Sequence, residues 1–349
     1  MAIEIYSSTP VMAGIEARHL RHVSLPVVDS TQVSEARRSV SERTAALRFS
    51  TRAAGEAAIV AIEMAGNLAK HGGGGELLLR TIGDEANAGI ELLALDRGPG
   101  MDVARCLVDG YSTGSSPGTG LGAIQRLSAS SDFYSVADAG TAVLATLWSN
   151  AVPETGKWIV GGINVPLPGE DVCGDAWVVR CHDRGLEVMV ADGLGHGREA
   201  ARASVAAVNA FLANAGRSPV QHLEVADGAL QTTRGAAMSV AVIDLQRGQV
   251  TFGGVGNTVG IILTGDAAQH LVSFGGIVGQ RRIPFRELTS PWSPESIFIG
   301  HSDGIATRWN LAAYPGLATR HPSIIAGVLY RDFARGRDDA SVLVIKPKP

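Results

Sequence analysis

Aspartates recur at the edges of apolar runs throughout the second half of this 349-residue chain. They share a neighbouring glycine or a second acid and occur at four points, Gly174-Asp175, Asp192-Gly193, Asp303-Gly304 and Asp338-Asp339. The apolar runs beside them, such as VMVADG and IFIGHSDG, predict buried strands. Converging carboxylates repel one another and are costly to bury unless a cation holds them. This half is therefore expected to be rich in strands and to gather its acids around a metal ion.

One Asp-Gly pair alone is most simply a turn. Four of them at strand edges favour a metal site, and ligands that are all oxygen suit Mg²⁺ or Mn²⁺ better than Zn²⁺. Two such ions can activate a water and stabilise an in-line attack on phosphorus. His196 is not assigned to metal. No motif identifies a phosphate-binding arginine, and Arg198, Arg202 and Arg234 are the candidates.

The first half carries a different set of polar residues. Glu63 and Asn67 are four residues apart on a helix predicted over about 52–71, which places them on one face. A carboxylate and an amide there can orient a water and hold Mg²⁺. Asp96 ends an apolar strand and can accept a hydrogen bond from an adenine amino group, while Gly98 and Gly100 let a ligand approach the backbone.

Two further elements follow in order. The run Gly118-Thr119-Gly120-Leu121-Gly122 opens a predicted helix, and amides at a helix N-terminus bind phosphates. After Gly140, the hydroxyl of Thr141 can complete a base pocket. Each element alone is explained as a turn or a solvated helix residue. Their order and spacing together predict a nucleotide pocket.

Composition limits the classes of function. Hydrophobic residues make up 45% and charged residues 18%, which is ample for two packed cores. The net charge of −4 comes without a block of like charges, so no nucleic-acid partner is expected. The three cysteines form no CxxC pair and fit reduced thiols. No secretory signal or membrane span is evident, and we expect a cytoplasmic protein with no membrane partner.

The segment 150–156 (NAVPETG) is the best domain boundary. It predicts one domain over 1–149, a linker over 150–156 and a second domain over 157–349. Many strands with few long helices in series indicate an α+β class. A helix predicted over about 321–334 falls in the second domain, between its last two strands.

The first set of motifs resembles the GHKL ATPase family, with Asn67 in its N box, DRGPGM at 96–101 as its G1 box and GTGLG at 118–122 as its G2 box. It looks closest to the anti-sigma-factor kinases and the stressosome switch kinase. This resemblance covers about 20–148 and implies a Bergerat-type α/β sandwich that binds ATP and Mg²⁺. It implies that Glu63 is the catalytic base, Asn67 the Mg²⁺ ligand and Asp96 the adenine contact, with 102–120 as the ATP lid.

The second set, with ADGLGHG at 191–197, resembles the PPM phosphatases of the SpoIIE-type sporulation and stress-response branch. The resemblance covers about 157–347 and implies an α-β-β-α sandwich with two Mn²⁺ or Mg²⁺ ions. The ligands it implies are Asp192 as the bridge, the Gly193 carbonyl, Asp175, Asp303 and Asp338. Asp338 is preferred to Asp339 because its position matches the first acid of the family's final motif.

Both resemblances together suggest a bifunctional signalling regulator, in which the second domain removes phosphate from serine or threonine and the first adds it. The implied partners are STAS-domain anti-anti-sigma or stressosome proteins, with a downstream phosphatase or sigma-factor regulator as further candidates. In the alternative, the first domain only senses ATP or docks a partner. In a third hypothesis the whole chain is a scaffold that binds no metal.

Overall fold

The computed structural model describes residues 4–7, 22–83, 87–107, 120–153, 156–280 and 284–348. The chain forms two compact units. The N-terminal unit comprises His22–Glu154 and Pro315–Arg331. The C-terminal unit comprises Met1–Arg21, Thr155–Tyr314 and Asp332–Pro349.

These units differ from a single division of the chain at 150–156. The chain passes between them at that point, but each unit also takes a segment from the other side. The segment at the start belongs to the C-terminal unit because Glu4–Ser7 (β1) pairs there as an edge strand. The second segment, 315–331, belongs to the N-terminal unit because its helix packs on that unit's sheet. The break at 150–156 as a boundary between functional domains stays a prediction.

The N-terminal unit is built on one antiparallel sheet with the order β2-β3-β4-β6-β5. Its strands are β2 (Val23–Val27), β3 (Gly75–Gly83), β4 (Ala88–Asp96), β5 (Ser130–Ser135) and β6 (Thr141–Trp148). Its helices are α1 (Ser30–Ala46), α2 (Thr51–Lys70), α3 (Val103–Cys106), α4 (Gly120–Leu127) and most of α7 (Pro322–Phe333).

Helix α2 shows why this sequence folds as it does. Its N-terminus is capped by the Ser50 side chain, which accepts from the Ala53 amide, and four glycines follow its C-terminus. Its buried side chains, including Val60, Met64 and Leu68, pack on the sheet, and each contributes roughly 1.5–3 kcal/mol by burial. The helix predicted over about 52–71 is thereby confirmed.

The C-terminal unit contains two sheets. The first has the order β1-β8-β9-β10-β11-β14 with β15 also paired to β11, and the second has the order β13-β12-β16-β17-β7. The first comprises β1, β8 (Asp175–His182), β9 (Gly185–Gly193), β10 (Ala236–Asp244), β11 (Gln249–Val255), β14 (Ser273–Phe274) and β15 (Leu288–Pro291). The second comprises β7 (Trp158–Val165), β12 (Val259–Thr264), β13 (Ala267–Leu271), β16 (Ile297–His301) and β17 (Ala340–Pro347).

The two sheets of the C-terminal unit pack face to face. Buried side chains from both, such as Trp177 on β8 and Phe298 on β16, form one apolar core. Helices α5 (Gly197–Leu212) and α6 (Pro219–Leu230) cover the other face of the first sheet with a second core. The α+β class is therefore confirmed. The C-terminal unit has three layers, in the order helices, first sheet, second sheet.

The helix predicted over about 321–334, within the predicted second domain, groups for the most part with the N-terminal unit. Its Gly327 lies against the side chains of Leu93 and Leu95 on β4. The Ser323 hydroxyl donates to Glu91 at 2.8 Å, also on β4. Within the described ranges, we find no helix that is both long enough and apolar enough for a membrane span.

Candidate functional site

A cavity of about 990 Å³ opens in the N-terminal unit between α2, α4 and the sheet. Six residues of the predicted nucleotide set line it: Glu63, Asn67, Asp96, Gly100, Gly120 and Thr141. Gly98 lies beside it and donates its amide to Asp96 Oδ1 at 2.8 Å. Gly122 is buried in α4 without lining the cavity. Gly118 falls outside the described residues, as does most of the segment 102–120.

Glu63 and Asn67 lie on one face of α2, opposite the first residue of α4. A Cβ at Gly120 would lie 2.7 Å from Glu63 Oε2 and 3.9 Å from Asn67 Oδ1. The start of α4 thus approaches both oxygens closely, and a side chain there would fill the space beside them. The geometry brings a carboxylate, an amide and a helix N-terminus to one wall of the cavity.

Asp96 forms the opposite wall at the end of β4. Its Oδ1 accepts from the Gly98 amide and from the Thr141 amide at 3.1 Å, so strand end and β6 hold the carboxylate in place. Burial raises the pKa of Asp96 and outweighs these hydrogen bonds and the charge of Arg331, which lower it. A buried acid fixed by backbone donors is suited to recognising a donor on a planar base.

In the C-terminal unit, Asp175 and Asp192 stand directly opposite one another on neighbouring strands β8 and β9. Asp175 is 1% exposed. Burial and the facing Asp192 raise the pKa of Asp175 well above its usual range. Burial and the nearby carboxylates of Asp303 and Asp338 raise the pKa of Asp192 to about 7.

Two acids of the final motif have different environments. Asp339 is buried and accepts from the amides of Leu167 at 2.7 Å and Gly174 at 2.8 Å, so it ties three chain segments together. Asp338 is only half-buried, and its Oδ1 accepts from the adjacent Asp339 amide. Asp338 is thus less committed to other parts of the fold than Asp339, and its role as the ligand stays a prediction.

Glycine is required at position 193 by packing. A Cβ at Gly193 would collide with the carbonyl oxygen of Ala200 in the first turn of α5. The helix can therefore start directly beside the strand end that carries Asp192. Next to this turn, His196 Nδ1 lies 2.6 Å from Glu170 Oε1 in an exposed pair.

The acids fit a divalent cation in chemistry, since all are oxygen donors and repel one another. The Asp175 Oδ2 atom is buried and makes no hydrogen bond of ordinary geometry with the described residues, although the hydroxyls of Ser302 and Ser341 act on this carboxyl and lower its pKa against the effect of burial. A cation would satisfy that oxygen. In the part of the chain that the structure describes, however, no three His, Cys, Asp or Glu side chains are already grouped to hold a metal ion.

Asn257 contacts one of the predicted acids and was missed from the sequence. Its Nδ2 donates to Asp303 Oδ2 at 2.5 Å, so the amide holds a carboxylate that a cation would need. A polar residue in the glycine-rich turn after β11 was the available signal. Of the three candidate arginines, Arg234 lies beside the turn that follows Gly193, where a Cβ at Gly195 would lie 3.1 Å from its Nη1.

Comparisons with known proteins identify one matching family and two related proteins. The model of the stage II sporulation protein E (SpoIIE) family matches residues 182–348. Phosphoserine phosphatase RsbX of Bacillus subtilis is 30% identical over 140 residues, which cover 39% of this chain and 69% of RsbX. Serine/threonine-protein kinase RsbT of the same organism is 33% identical over 87 residues, 25% of this chain and 65% of RsbT.

Solved structures are also similar, and one of them has a TM-score above 0.5 with more than 25% identity. It comes from work on the bacterial stressosome, described as a modular system adapted to control secondary messenger signalling. Its chain is 27% identical with a TM-score of 0.51, and the match covers 55% of this chain and all of the other.

The carboxylate pair predicts a pH dependence of stability in protein stripped of divalent cations. The pKa of Asp192 rises from 3.8 to about 7 on folding, so the folded chain binds the proton more tightly. The free energy of unfolding should then fall as pH rises between these two pKa values, by on the order of 1 kcal/mol per pH unit for each carboxyl whose pKa is raised on folding. Urea unfolding with a chelator present, repeated across that window, measures the slope.

The variant Asp192→Asn should unfold with a shallower pH slope, because one of the raised groups no longer titrates. Asp266→Asn, at an exposed turn of the same unit, serves as the matched control and should keep the wild-type slope. Identical slopes for Asp192→Asn and wild type would contradict the assignment.

Proposed function

Because the chain belongs to the family of SpoIIE-type phosphatases that includes RsbX, we propose that its C-terminal unit is a divalent-metal-dependent protein phosphatase. Its substrate class is phosphoserine or phosphothreonine in a signalling protein. The observation that carries the proposal is the facing pair Asp175 and Asp192, with one buried carboxylate oxygen that makes no hydrogen bond of ordinary geometry with the described residues. Such a pair is costly in a folded protein unless a cation compensates it.

In this proposal the acids Asp175, Asp192, Asp303 and Asp338, with the carbonyl of Gly193, hold two Mn²⁺ or Mg²⁺ ions. Ions bound there supply Lewis acidity toward water and toward the phosphate oxygens. The described residues contribute position and charge. Asp339 keeps the final motif in place through the amides of Leu167 and Gly174, and Arg234 places a cation beside the loop at Gly195.

We further propose that the N-terminal unit binds ATP with Mg²⁺ and phosphorylates a STAS-domain anti-anti-sigma or stressosome protein. A downstream phosphatase or sigma-factor regulator is a further candidate partner. The cavity lined by Glu63, Asn67 and Asp96 supports this, together with the similarity to the kinase RsbT. Glu63 would take the hydroxyl proton as a general base, Asn67 would hold Mg²⁺, and Asp96 would bind adenine.

A second candidate function is an N-terminal unit that senses ATP or docks a partner without transferring phosphate. The buried Asp96 and its backbone donors serve nucleotide binding equally well in either case. Glu63 separates the two, since a carboxylate beside the start of α4 is needed for transfer and not for binding.

Replacing Asp192 with Asn should abolish Mn²⁺-dependent hydrolysis of an aryl phosphate and of a phosphoserine peptide, because the acid facing Asp175 loses its charge. Asp266→Asn in the same unit should leave turnover unchanged. Turnover of Asp192→Asn at the rate of the wild type would contradict the proposed metal centre.

The neighbouring acids Asp338 and Asp339 provide a matched pair. Asp338→Asn should weaken Mn²⁺ binding by about tenfold or more, measured by calorimetry, with little change in thermal stability. Asp339→Asn should instead destabilise the fold by about 1–3 kcal/mol, because a buried acceptor of two amides is altered. The reverse pattern would show that Asp339 is the ligand.

Phosphate transfer depends on Glu63 in this proposal. Glu63→Gln should reduce label transfer from ATP to a STAS-domain protein by about a hundredfold or more while ATP binding is retained. The control is Glu56→Gln on the same helix. This change only removes the ion pair of Glu56 with the exposed Arg52. Saturable ATP binding by the wild type with no transfer to any STAS-domain substrate tested would favour the sensor.

A further inference from the structure

Helix α7 comes from the phosphatase part of the sequence, between Asp303 and Asp338, yet most of it belongs to the N-terminal unit. Nine of its twelve residues are buried. A helix that is buried on all sides is packed between other elements and is not a surface element. What α7 contacts in the N-terminal unit is therefore informative about its role.

The helix lies along strand β4. Ser323 and Gly327, which are four residues apart, meet Glu91 and the leucine pair Leu93 and Leu95. These strand residues alternate with 90, 92 and 94, which belong to the core that includes α2. The sheet thus has α2 on one face and α7 on the other. A further contact, from the Tyr330 hydroxyl to Glu76 on β3 at 3.2 Å, adds to this packing.

Arg331 lies one turn further along the same face of α7 and contacts Asp96, the acid that lines the cavity of the N-terminal unit. Arg331 is 8% exposed, and its Nη1 donates to the backbone oxygen of Asp96 at 2.8 Å. Its charge also lowers the pKa of Asp96. Gly140 closes the contact from the other side, at φ +82°, and a Cβ there would lie 2.8 Å from Arg331 Nη1. Arg331 therefore fixes the backbone of Asp96 without lining the cavity itself.

The residues directly after Arg331 enter the C-terminal unit beside the loop of Asp303. The Phe333 carbonyl accepts from the Ala306 amide at 2.9 Å. The Arg335 amide donates to the Gly304 carbonyl at 2.8 Å, and Ile305 and Ala334 form a bridge between these bonds. Asp338 follows three residues later. The chain thus leads from Arg331 to Asp338 within seven residues, and the backbone pairs at 304–306 tie the same segment to the loop of Asp303.

We propose that Arg331 is a positioning residue for Asp96 and that α7 carries nucleotide occupancy to the segments 303–306 and 332–338. This rests on the proposed ATP binding of the N-terminal unit. ATP bound against Asp96 restrains Arg331 and the end of α7, which restrains the backbone pairs that follow. Linkage is reciprocal, so order in these segments strengthens ATP binding by the same free energy.

Nucleotide titrations of the full chain test the positioning role. Arg331→Met should weaken ATP binding about tenfold or more and reduce the preference for ATP over GTP, because Asp96 is no longer held toward the base. Arg331→Lys keeps a charge and a donor and should restore part of both. The exposed Arg38→Met on α1 is the matched control. Equal loss of ATP and GTP binding, or no loss, would overturn the positioning role.

Hydrogen exchange of the wild-type chain tests the transmission without any variant. Adding ATP with Mg²⁺ should slow exchange of amides in 303–306 and 332–338 by about fivefold or more compared with Mg²⁺ alone. The effect should disappear in Arg331→Met. Saturable ATP binding with unchanged exchange would overturn this inference alone, whereas failure of the wild type to bind ATP would also overturn the proposed nucleotide function.

Discussion

Repulsion between two facing carboxylates is the constraint around which the C-terminal unit is organised. Asp175 and Asp192 occupy opposed positions of adjacent strands, where the sheet fixes the distance between them. Burial disfavours the charged form of each carboxyl and so raises both pKa values. The folded chain therefore holds the pair only when protons or a cation neutralise its charge. A phosphatase uses the same property, since a place that demands positive charge also attracts the ions that activate water.

In the N-terminal unit a single acid is held in place by its neighbours. Asp96 is held by two side-chain contacts from backbone amides and by Arg331 on its carbonyl, so its orientation is set before any ligand arrives. Preorganisation of this kind lowers the entropic cost of binding. The unit's sheet is packed on both faces, by α2 and by α7, so the strand that ends in Asp96 is supported from both sides.

Much of this was predictable from local pattern. The α+β class, helix α2 and the clustering of Glu63, Asn67 and Asp96 around one cavity follow from periodicity and from polar residues placed at element ends. What local pattern could not give were the partners that lie far away in the sequence. Asn257 meets Asp303, and Arg331 meets Asp96 across 235 positions, because tertiary packing decides such contacts. The placement of α7 also could not be read, since an apolar helix fits either sheet.

The placement of α7 limits where this chain can be divided. A fragment ending near residue 150 would carry β4 with Leu93 and Leu95 bare and with Glu91 short of its hydroxyl donor. Exposed apolar strand faces promote aggregation. Cutting the chain at 150–156 therefore takes away the helix that covers the second face of the N-terminal sheet.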